Sequence, residues 1–165
     1  MKIEVFYDYE CPFCLRGYNM LKEVFAEFED LEIEWKPVES HPRPERYWPY
    51  SDLCAMGMYI ARDMGVDTVK YSDRIYEAVV RKEIDIQKPE EIADLLQGLV
   101  EKEGFVEALK AGKYREQLEK NNVEVWETLG FDAVPSLKIG DKTLGAIPGV
   151  GLTRGRVIDF IKENI

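Results

Sequence analysis

Two cysteines, Cys11 and Cys14, stand two residues apart near the start of the chain, with Pro12 and Phe13 between them. Thiols at this spacing can form a disulfide with each other, exchange it with an outside thiol, or supply half of a metal site. The third cysteine, Cys54, has no cysteine close to it in the sequence. The chemistry of the protein is therefore expected to centre on the Cys11–Cys14 pair.

The composition indicates a folded, acidic protein. Of the 165 residues, 45% are hydrophobic and 12% are aromatic, which is enough apolar material for a packed core. The formal net charge is -10 at pH 7. Phosphate backbones and anionic membranes are bound by clustered Lys and Arg, so this charge disfavours nucleic acid and membrane partners.

The start of the chain and its cysteine usage predict the compartment. The first strand pattern begins at Lys2, which leaves no room for the basic and apolar regions of a signal peptide, and no apolar run is long enough to span a membrane. An odd number of cysteines does not suit a secreted disulfide framework. We therefore expect a cytoplasmic protein, in which a close cysteine pair is more often catalytic or metal-binding than structural.

Local patterns predict how the pair is held. Lys2–Tyr7 alternates in the manner of a strand, and apolar residues recur at helical spacing over Pro12–Glu29. Pro12 suits the first turn of a helix because it lacks the N–H that would be unpaired there. Cys11 then lies at or next to the N-cap. A second strand over Leu31–Lys36 completes a β-α-β unit, which favours a parallel strand pair.

The middle of the chain is predicted to be helical. After a loop rich in Pro and aromatic residues, helical periodicity recurs between Gly and Pro residues. The predicted helices cover Asp52–Met64, Ser72–Lys82, Pro89–Glu103, Phe105–Ala111 and Tyr114–Leu129. Strand patterns then return over Val134–Ile139 and Lys142–Ile147, as a hairpin with Gly140-Asp141 in its turn, and Thr153 is a candidate N-cap for a last helix.

These patterns together predict an α/β fold. One mixed sheet is expected to contain the four strands, with the order β-α-β before the helices and β-β-α after them. Residues 1–39 and 131–165 are expected to form one domain. Residues 40–130 are expected to form a helical subdomain inserted into it.

A thiol at a helix N-terminus suits nucleophilic chemistry. Free N–H groups and the helix dipole stabilise an anion there, which lowers the pKa of a thiol below its free value of ~8.5. We predict that Cys11 forms a mixed disulfide with a substrate and that Cys14, the more buried thiol, resolves it. A zinc half-site is an alternative, but Cys54 and His41 lack the paired spacing of further ligands, and we expect no metal. Two incidental buried thiols are the other alternative.

Other residues near these patterns have more than one interpretation. Glu10 could oppose a Cys11 thiolate through like charge or could point to water. Asp8 could lie near Cys14 and assist its deprotonation. His41 could pack in its loop or line the active-site face.

The remaining cysteine and the tryptophans are best explained as packing residues. Cys54 lies among apolar helix formers and is interpreted as a buried core thiol, with a regulatory thiol as the alternative. Trp35, Trp48 and Trp126 are interpreted as core or groove aromatics.

A second distinctive stretch is the Val134-Pro135 dipeptide at the start of a predicted strand. Proline at this place favours an edge strand or a bulge. A cis peptide bond between Val134 and Pro135 is an alternative, and the spacing alone does not decide between them.

The chain resembles the thioredoxin superfamily, and within it the DsbA-like thiol oxidoreductases. It is similar in particular to the cytosolic FrnE-type group, which includes relatives known as 2-hydroxychromene-2-carboxylate isomerases. The resemblance covers nearly the whole chain. The residues that carry it are DYECPFC at Asp8 to Cys14, AVPSLKIG at Ala133 to Gly140, and the segment from Glu77 to Gly104.

The resemblance implies a thioredoxin-like fold in which a cis Pro135 packs beside Cys11 and Cys14. It also implies that the backbone of Val134 contacts an extended substrate segment. Pro12, Phe13 and Pro135 are expected to shape the active site. The Pro-Phe dipeptide replaces the Pro-His of the strongly oxidising periplasmic enzymes, so we expect a less oxidising couple here.

The cysteine pair and the resemblance together predict a dithiol–disulfide oxidoreductase that acts on protein or small-molecule disulfides. No cofactor is expected besides the redox-active pair, although glutathione is a candidate substrate or reductant. One alternative is a glutathione-dependent isomerase or transferase of the same fold, in which Ser usually replaces the first cysteine. The other alternative is a non-catalytic peptide-binding module.

Overall fold

The four strands of the protein form one mixed sheet. A computed structural model describes residues 1–47 and 49–165. The strands are β1 (Lys2–Tyr7), β2 (Glu32–Pro37), β3 (Ser136–Ile139) and β4 (Lys142–Leu144), and their order in the sheet is β2-β1-β3-β4. The β1–β2 pair is parallel, whereas β1–β3 and β3–β4 are antiparallel. The predicted mixed sheet is confirmed.

The helices lie in two parts of the sequence. Helix α1 (Pro12–Phe25) follows β1 and contacts the C-terminal helix α7 (Arg154–Glu163). Between β2 and β3 the described residues form α2 (Asp52–Asp63), α3 (Thr68–Val80), α4 (Pro89–Leu95), α5 (Lys102–Lys110), α6 (Arg115–Asn122) and a π-helix (Val123–Thr128). The helical interval occupies the predicted place, while its status as a separate subdomain stays a prediction.

Within the described ranges 1–47 and 49–165, no helix combines the length and the apolar character that crossing a bilayer requires.

Strand β1 lies between β2 and β3 in the sheet, and most of its side chains are buried. Ile3, Val5 and Phe6 have no exposed surface. The parallel register pairs Tyr7, the last residue of β1, with Pro37, the last residue of β2. Because parallel strands end at the same edge of a sheet, the residues that follow β1 and β2 emerge next to each other.

The predicted helix Pro89–Glu103 is wrong in its second half. Helix α4 ends at Leu95, and Gly98 then adopts a left-handed conformation with φ 83° that ends the helical path. Helix α5 begins one residue after Glu101, whose carboxylate accepts the N–H of Gly104 at the new N-terminus. Gly104 therefore lies inside α5 instead of ending a helix, and the piece predicted over Phe105–Ala111 is the rest of α5.

Other helix bounds also depend on capping. The Asp67 carboxylate accepts the N–H groups of Val69 at 2.8 Å and Lys70 at 3.3 Å, so α3 begins at Thr68, before the predicted Ser72. Helix α1 ends at Phe25, before the predicted end at Glu29. Thr153 is the N-cap residue of α7, as predicted.

The predicted helix Tyr114–Leu129 consists of two kinds of helix. Helix α6 ends at Asn122, and the π-helix continues the same path. The N–H of Leu129 donates to the carbonyl of Glu124, five residues earlier, at 2.8 Å. This wider turn is uncommon and often occurs at functional sites.

The C-terminal strands are shorter than predicted. Strand β3 begins at Ser136, directly after Pro135, because proline has no N–H to donate to a neighbouring strand. Since β3 lies between β1 and β4, the edge-strand interpretation of Pro135 is wrong. Strand β4 ends at Leu144 because Ile147 exchanges backbone hydrogen bonds with Gly151 instead.

A nearly buried ion cluster joins three strands and the π-helix. Glu4 on β1 contacts Lys36 on β2 at 2.6 Å and also contacts Lys138 on β3, while Lys36 contacts Glu124 at 2.6 Å. The Glu4 side chain is 12% exposed. Its burial acts to raise its pKa, but hydrogen bonds from Lys138 and Lys36 outweigh burial and hold the pKa of Glu4 below its usual value.

We predict that Glu4→Gln lowers the free energy of unfolding at pH 7 by ~1–3 kcal/mol, because Lys36 and Lys138 lose the Glu4 carboxylate and keep only Glu124 as a charged partner. The lowered pKa of Glu4 means that its contribution is present above the unfolded pKa of 4.5 and is lost as pH falls through the folded value. Urea unfolding of both proteins from pH 7 to acid should show the difference shrinking. Glu77→Gln, which affects only the exposed pair with Arg81, is the control and should cost less than ~0.5 kcal/mol. Equal effects of the two substitutions would contradict the prediction.

Candidate active site

Cys11 and Cys14 lie at the junction of β1 and α1. Cys11 is the N-cap residue, with an extended backbone (φ -86°, ψ 118°), and Pro12 is the first helical residue. The Cys11 carbonyl accepts the N–H groups of Cys14 at 3.0 Å and Leu15 at 3.1 Å. The predicted N-cap position is confirmed, and Cys14 lies one turn into the helix.

The two thiols differ in burial and in acidity. Cys11 is partly exposed, whereas Cys14 is fully buried. A hydrogen bond from the Cys14 thiol lowers the pKa of Cys11, and the N–H groups of Cys14 and Phe13 add to this, although burial and the charge of Asp8 oppose it. Burial, together with the neighbouring Cys11 sulfur, raises the pKa of Cys14 well above its usual value. Cys11 therefore ionises first, which is what an attacking thiol requires.

Asp8 is a buried carboxylate beside the pair. It is 2% exposed, and its two oxygens accept the N–H groups of Glu10 at 3.0 Å and Ser40 at 2.8 Å. Its charge acts against ionisation of both cysteines. The predicted proximity of Asp8 to Cys14 is confirmed, but its carboxylate bonds to backbone N–H groups, and its part in deprotonating Cys14 stays a prediction.

The main chain of Asp8 also holds the pair. Its N–H lies 3.5 Å from the Cys14 sulfur, and its carbonyl accepts the N–H of Cys11 at 3.2 Å and the hydroxyl of Tyr76 at 2.8 Å. Tyr76 was not identified as a site residue from the sequence. The sequence carries no sign of its contact with Asp8, because 68 residues separate the two.

A cleft of about 540 Å³ opens beside Cys11. Its walls come from α1, the loop after β2, the π-helix and the segment before β3. The lining residues that matter for chemistry are Phe13, His41, Glu45, Trp126, Asp132 and Val134. The π-helix places Trp126 here, and the indole N–H donates to the Glu39 carbonyl at 2.9 Å. The groove interpretation of Trp126 is therefore confirmed.

The loop after β2 contributes a wall tied to the redox pair. The His41 ring stacks on Tyr47 with centroids 3.9 Å apart, and its Nδ1 lies 3.0 Å from a Glu45 oxygen. The Tyr47 hydroxyl donates to Glu10 at 3.2 Å. Of the two interpretations of His41, the structure supports the one that lines the active-site face. Trp48 lies outside the described residues.

Phe13, between the two cysteines, presents an exposed ring to the cleft. The ring is 38% exposed, and the Arg16 guanidinium lies over it, 5.2 Å from its centroid. Arg16 itself donates to the Val150 carbonyl at 2.5 Å. The ring is thus held in place by a neighbour on its own helix.

The Val134–Pro135 peptide bond is cis, so that part of the Pro135 prediction is confirmed. Val134 lines the cleft together with Cys11. The Pro135 ring packs on α1 at Gly17, where an added Cβ would lie 2.7 Å from the proline Cγ. Gly17 was not identified from the sequence, although a glycine inside a helical pattern is a sign of close packing. Contact of Pro135 with the Cys11 sulfur and of Val134 with a substrate stay predictions.

Cys54 lies away from this chemistry. It is fully buried in α2, and burial raises the pKa of its thiol. The interpretation as a buried core thiol is confirmed.

Comparison with known proteins gives one family. The family model described as thioredoxin matches residues 1–148. The uncharacterized protein YwbO of Bacillus subtilis (strain 168) is 25% identical in an alignment that is 202 positions long. The alignment covers 98% of each chain. Solved structures are also similar across nearly the whole chain, and two of them serve as examples. Chlamydia trachomatis DsbA has a TM-score of 0.69 at 18% identity, over 98% of this chain and 86% of its own. A probable DsbA oxidoreductase from Streptomyces coelicolor has a TM-score of 0.74 at 14% identity, over 99% of this chain and 89% of its own. The predicted thioredoxin-like α/β fold is confirmed.

The difference between the thiols predicts their order of alkylation. Because the pKa of Cys11 is lowered and its sulfur is accessible, iodoacetamide near neutral pH should label Cys11 at least about tenfold faster than Cys14 or Cys54. The pH dependence of labelling should have its midpoint below the pKa of a free thiol, because the pKa of Cys11 is lowered. Mass spectrometry of the reduced protein gives the order. Faster labelling of Cys14 would contradict the prediction that Cys11 is the attacking thiol and Cys14 the resolving thiol.

The charge of Asp8 predicts a shift in reduction potential. Asp8→Asn keeps one backbone acceptor but removes the charge that opposes both thiolates. The dithiol form gains stability, so the potential should rise by roughly 30 mV, the equivalent of about one pKa unit for a two-electron couple. Equilibration with glutathione buffers measures the potential, and Glu103→Gln on the exposed face of α5 is the control. A fall in potential, or a shift equal to the control, would contradict the prediction.

Proposed function

Because the chain belongs to the thioredoxin family, we propose that it is a dithiol–disulfide oxidoreductase whose redox centre is Cys11 and Cys14. The observation that carries the proposal is the difference between the two sulfurs. Cys11 has a lowered pKa and opens on a cleft, and Cys14 is buried directly behind it. An accessible thiolate backed by a second thiol is the arrangement that thiol–disulfide exchange requires.

In the reductive direction the reaction has two exchange steps. The Cys11 thiolate attacks one sulfur of a substrate disulfide, an S–S bond forms between Cys11 and that sulfur, and the second substrate sulfur leaves as a thiolate. Cys14 then attacks the Cys11 sulfur, which forms the Cys11–Cys14 disulfide and releases the other substrate sulfur. The two thiol protons end on the two released sulfurs. The substrate disulfide gains two electrons and the cysteine pair loses them, and the opposite direction reverses each step.

The surroundings suit the two steps differently. Helix N–H groups stabilise the Cys11 thiolate before attack. Cys14 is fully buried, so an outside thiol meets Cys11 first. When the mixed disulfide forms, the N–H of Asp8, 3.5 Å from the Cys14 sulfur, is placed to stabilise negative charge as Cys14 loses its proton.

The cleft suits a substrate that extends beyond its disulfide. Phe13, Trp126 and Val134 supply apolar surface near Cys11. We place the substrate segment along these residues, with the backbone of Val134 as its contact. Proteins and small molecules that carry disulfides both remain within the proposal, with glutathione as a candidate substrate or reductant.

Subgroup and compartment belong to the same proposal. DYECPFC at residues 8–14 and AVPSLKIG at residues 133–140 support placement with the cytosolic FrnE-type group. The unpaired Cys54 and the net charge of -10 are compatible with a cytoplasmic location. Fractionation of the native host would test the location. A reduction potential near -270 mV would indicate a reductant, and one near -120 mV an oxidant.

Single cysteine substitutions test the proposed roles. Cys11→Ser should abolish the reduction of insulin disulfides, because the attacking thiolate is lost. Cys14→Ser should also lose turnover but should accumulate a mixed disulfide on Cys11, because the resolving thiol is gone. Cys54→Ala is the matched control and should retain turnover, since that thiol is buried away from the cleft. Insulin precipitation measures turnover, and non-reducing mass spectrometry measures the mixed disulfide.

Other outcomes of this experiment favour the alternatives. Turnover that survives Cys11→Ser would overturn the proposal. Conjugation or isomerisation with glutathione that survives Cys14→Ser would indicate a transferase of the same fold. Peptide binding without any disulfide turnover would indicate a binding module.

A further inference from the structure

The cleft beside Cys11 is acidic. Glu45 and Asp132 line it, and both are exposed. Of the described lining residues, His41 is the one that can carry a positive charge, and it lies 3.0 Å from Glu45. Neither Lys nor Arg is among the described lining residues. Phe13, Trp126 and Val134 supply apolar surface in the same lining.

The loop that carries Glu45 also carries two arginines. Arg43 contacts the Asp52 carboxylate at 3.0 Å, and Arg46 is exposed. Arg16 lies over the Phe13 ring and donates to the Val150 carbonyl at 2.5 Å. Burial raises the pKa of Glu10, and the hydrogen bond that its carboxylate accepts from the Tyr47 hydroxyl acts against this shift. Asp8 adds a buried negative charge next to Cys11. Carboxylates therefore outnumber cations among the described residues that line the cleft.

We propose that this cleft selects disulfides whose cysteine is flanked by Lys or Arg and disfavours anionic disulfides such as that of glutathione. The proposal rests on the dithiol–disulfide activity proposed above and specifies its substrate class. Glu45 and Asp132 contact the cationic flanks, while Phe13 and Val134 contact the aliphatic stems and backbone of the substrate segment. Glutathione carries two carboxylates and one ammonium, and the described lining of the cleft offers no Lys or Arg to pair with those carboxylates.

The charge of the cleft should act mainly on the rate at which the substrate and the protein encounter each other. A cleft with charges of one sign raises the local concentration of oppositely charged substrates and lowers that of like-charged ones. The chemical step is unchanged: the Cys11 thiolate attacks the peptide disulfide, one peptide leaves as a thiolate, and Cys14 releases the second peptide. The selectivity should therefore weaken as salt screens the carboxylates.

The experiment compares three peptide disulfides that share one backbone and carry cationic, neutral or anionic flanking side chains, with glutathione disulfide measured alongside them. The three peptide disulfides are the homodimers of Ac-Lys-Cys-Lys-NH2, Ac-Gln-Cys-Gln-NH2 and Ac-Glu-Cys-Glu-NH2. The reduced protein reduces each peptide disulfide, and the rate is measured. This rate is divided by the rate at which 2-mercaptoethanol, a neutral thiol, reduces the same disulfide, which corrects for the intrinsic reactivity of the disulfide. At low salt the Lys peptide should exceed the Glu peptide by at least about tenfold, and this ratio should fall at least about threefold at high salt.

Two double variants distinguish an effect of the carboxylates in the cleft from an effect of the net charge of the protein. Glu45→Gln with Asp132→Asn removes two negative charges from the cleft, and the Lys-to-Glu ratio should narrow at least about threefold. Glu103→Gln with Glu107→Gln removes two exposed charges on α5 and is the matched control, which should leave the ratio unchanged. Circular dichroism spectra of both variants report that each has folded, and the rate with the neutral Gln peptide is the baseline for each variant.

The outcomes distinguish this proposal from the one on which it rests. Equal rates for the three peptides, or equal narrowing by the two double variants, would overturn the charge selectivity while leaving disulfide turnover in place. Failure of the wild-type protein to reduce any of the three, including the neutral Gln peptide, would overturn the proposed activity and the selectivity with it. A larger normalised rate for glutathione disulfide than for the Lys peptide would also overturn the selectivity.

Discussion

The redox pair depends on the hydrogen bonds of Asp8, the first residue after β1. Its carbonyl accepts the N–H of Cys11 and its own N–H contacts the Cys14 sulfur, so both cysteines are positioned by one peptide unit on each side of Asp8. Its carboxylate accepts the N–H of Ser40, which joins the loop after β2 to the same point. A buried polar group costs free energy unless it is paired, and each oxygen of Asp8 has a partner.

The same carboxylate opposes the chemistry that its hydrogen bonds support. The negative charge of Asp8 disfavours both thiolates, whereas the N-terminus of α1 favours the one on Cys11. A hydrogen bond from the Cys14 thiol is the largest cause of the lowered pKa of Cys11, and burial is the largest cause of the raised pKa of Cys14. A large separation between the two values keeps the attacking and the resolving roles distinct. The Asp8 charge also destabilises the doubly ionised dithiol. The couple is therefore less oxidising than it would be without this carboxylate.

A layer of buried tyrosines connects this turn to the helical interval. The Tyr7 and Tyr9 hydroxyls lie 2.9 Å apart, and Tyr9 lies 2.9 Å from the Ser72 hydroxyl of α3. Tyr76, also on α3, donates to the Asp8 carbonyl. Every hydroxyl in this layer has a partner, so the aromatic rings can be buried at little polar cost. Helix α3 thereby supports the end of β1, and the helices between β2 and β3 take part in holding the active site.

The sequence by itself determined the strands, the helix that begins after Cys11, and the cysteine pair, because these depend on local periodicity and on residue types a few positions apart. The same local reasoning predicted that Cys11 is the more acidic thiol, because a helix N-terminus stabilises negative charge on the residue nearest to it. The structure alone decided that Gly98 interrupts a predicted helix and that Trp126 and His41 meet beside Cys11. It also decided the partners of Asp8. These depend on contacts between residues far apart in the chain, where the energy of packing and of pairing buried polar groups outweighs local preference.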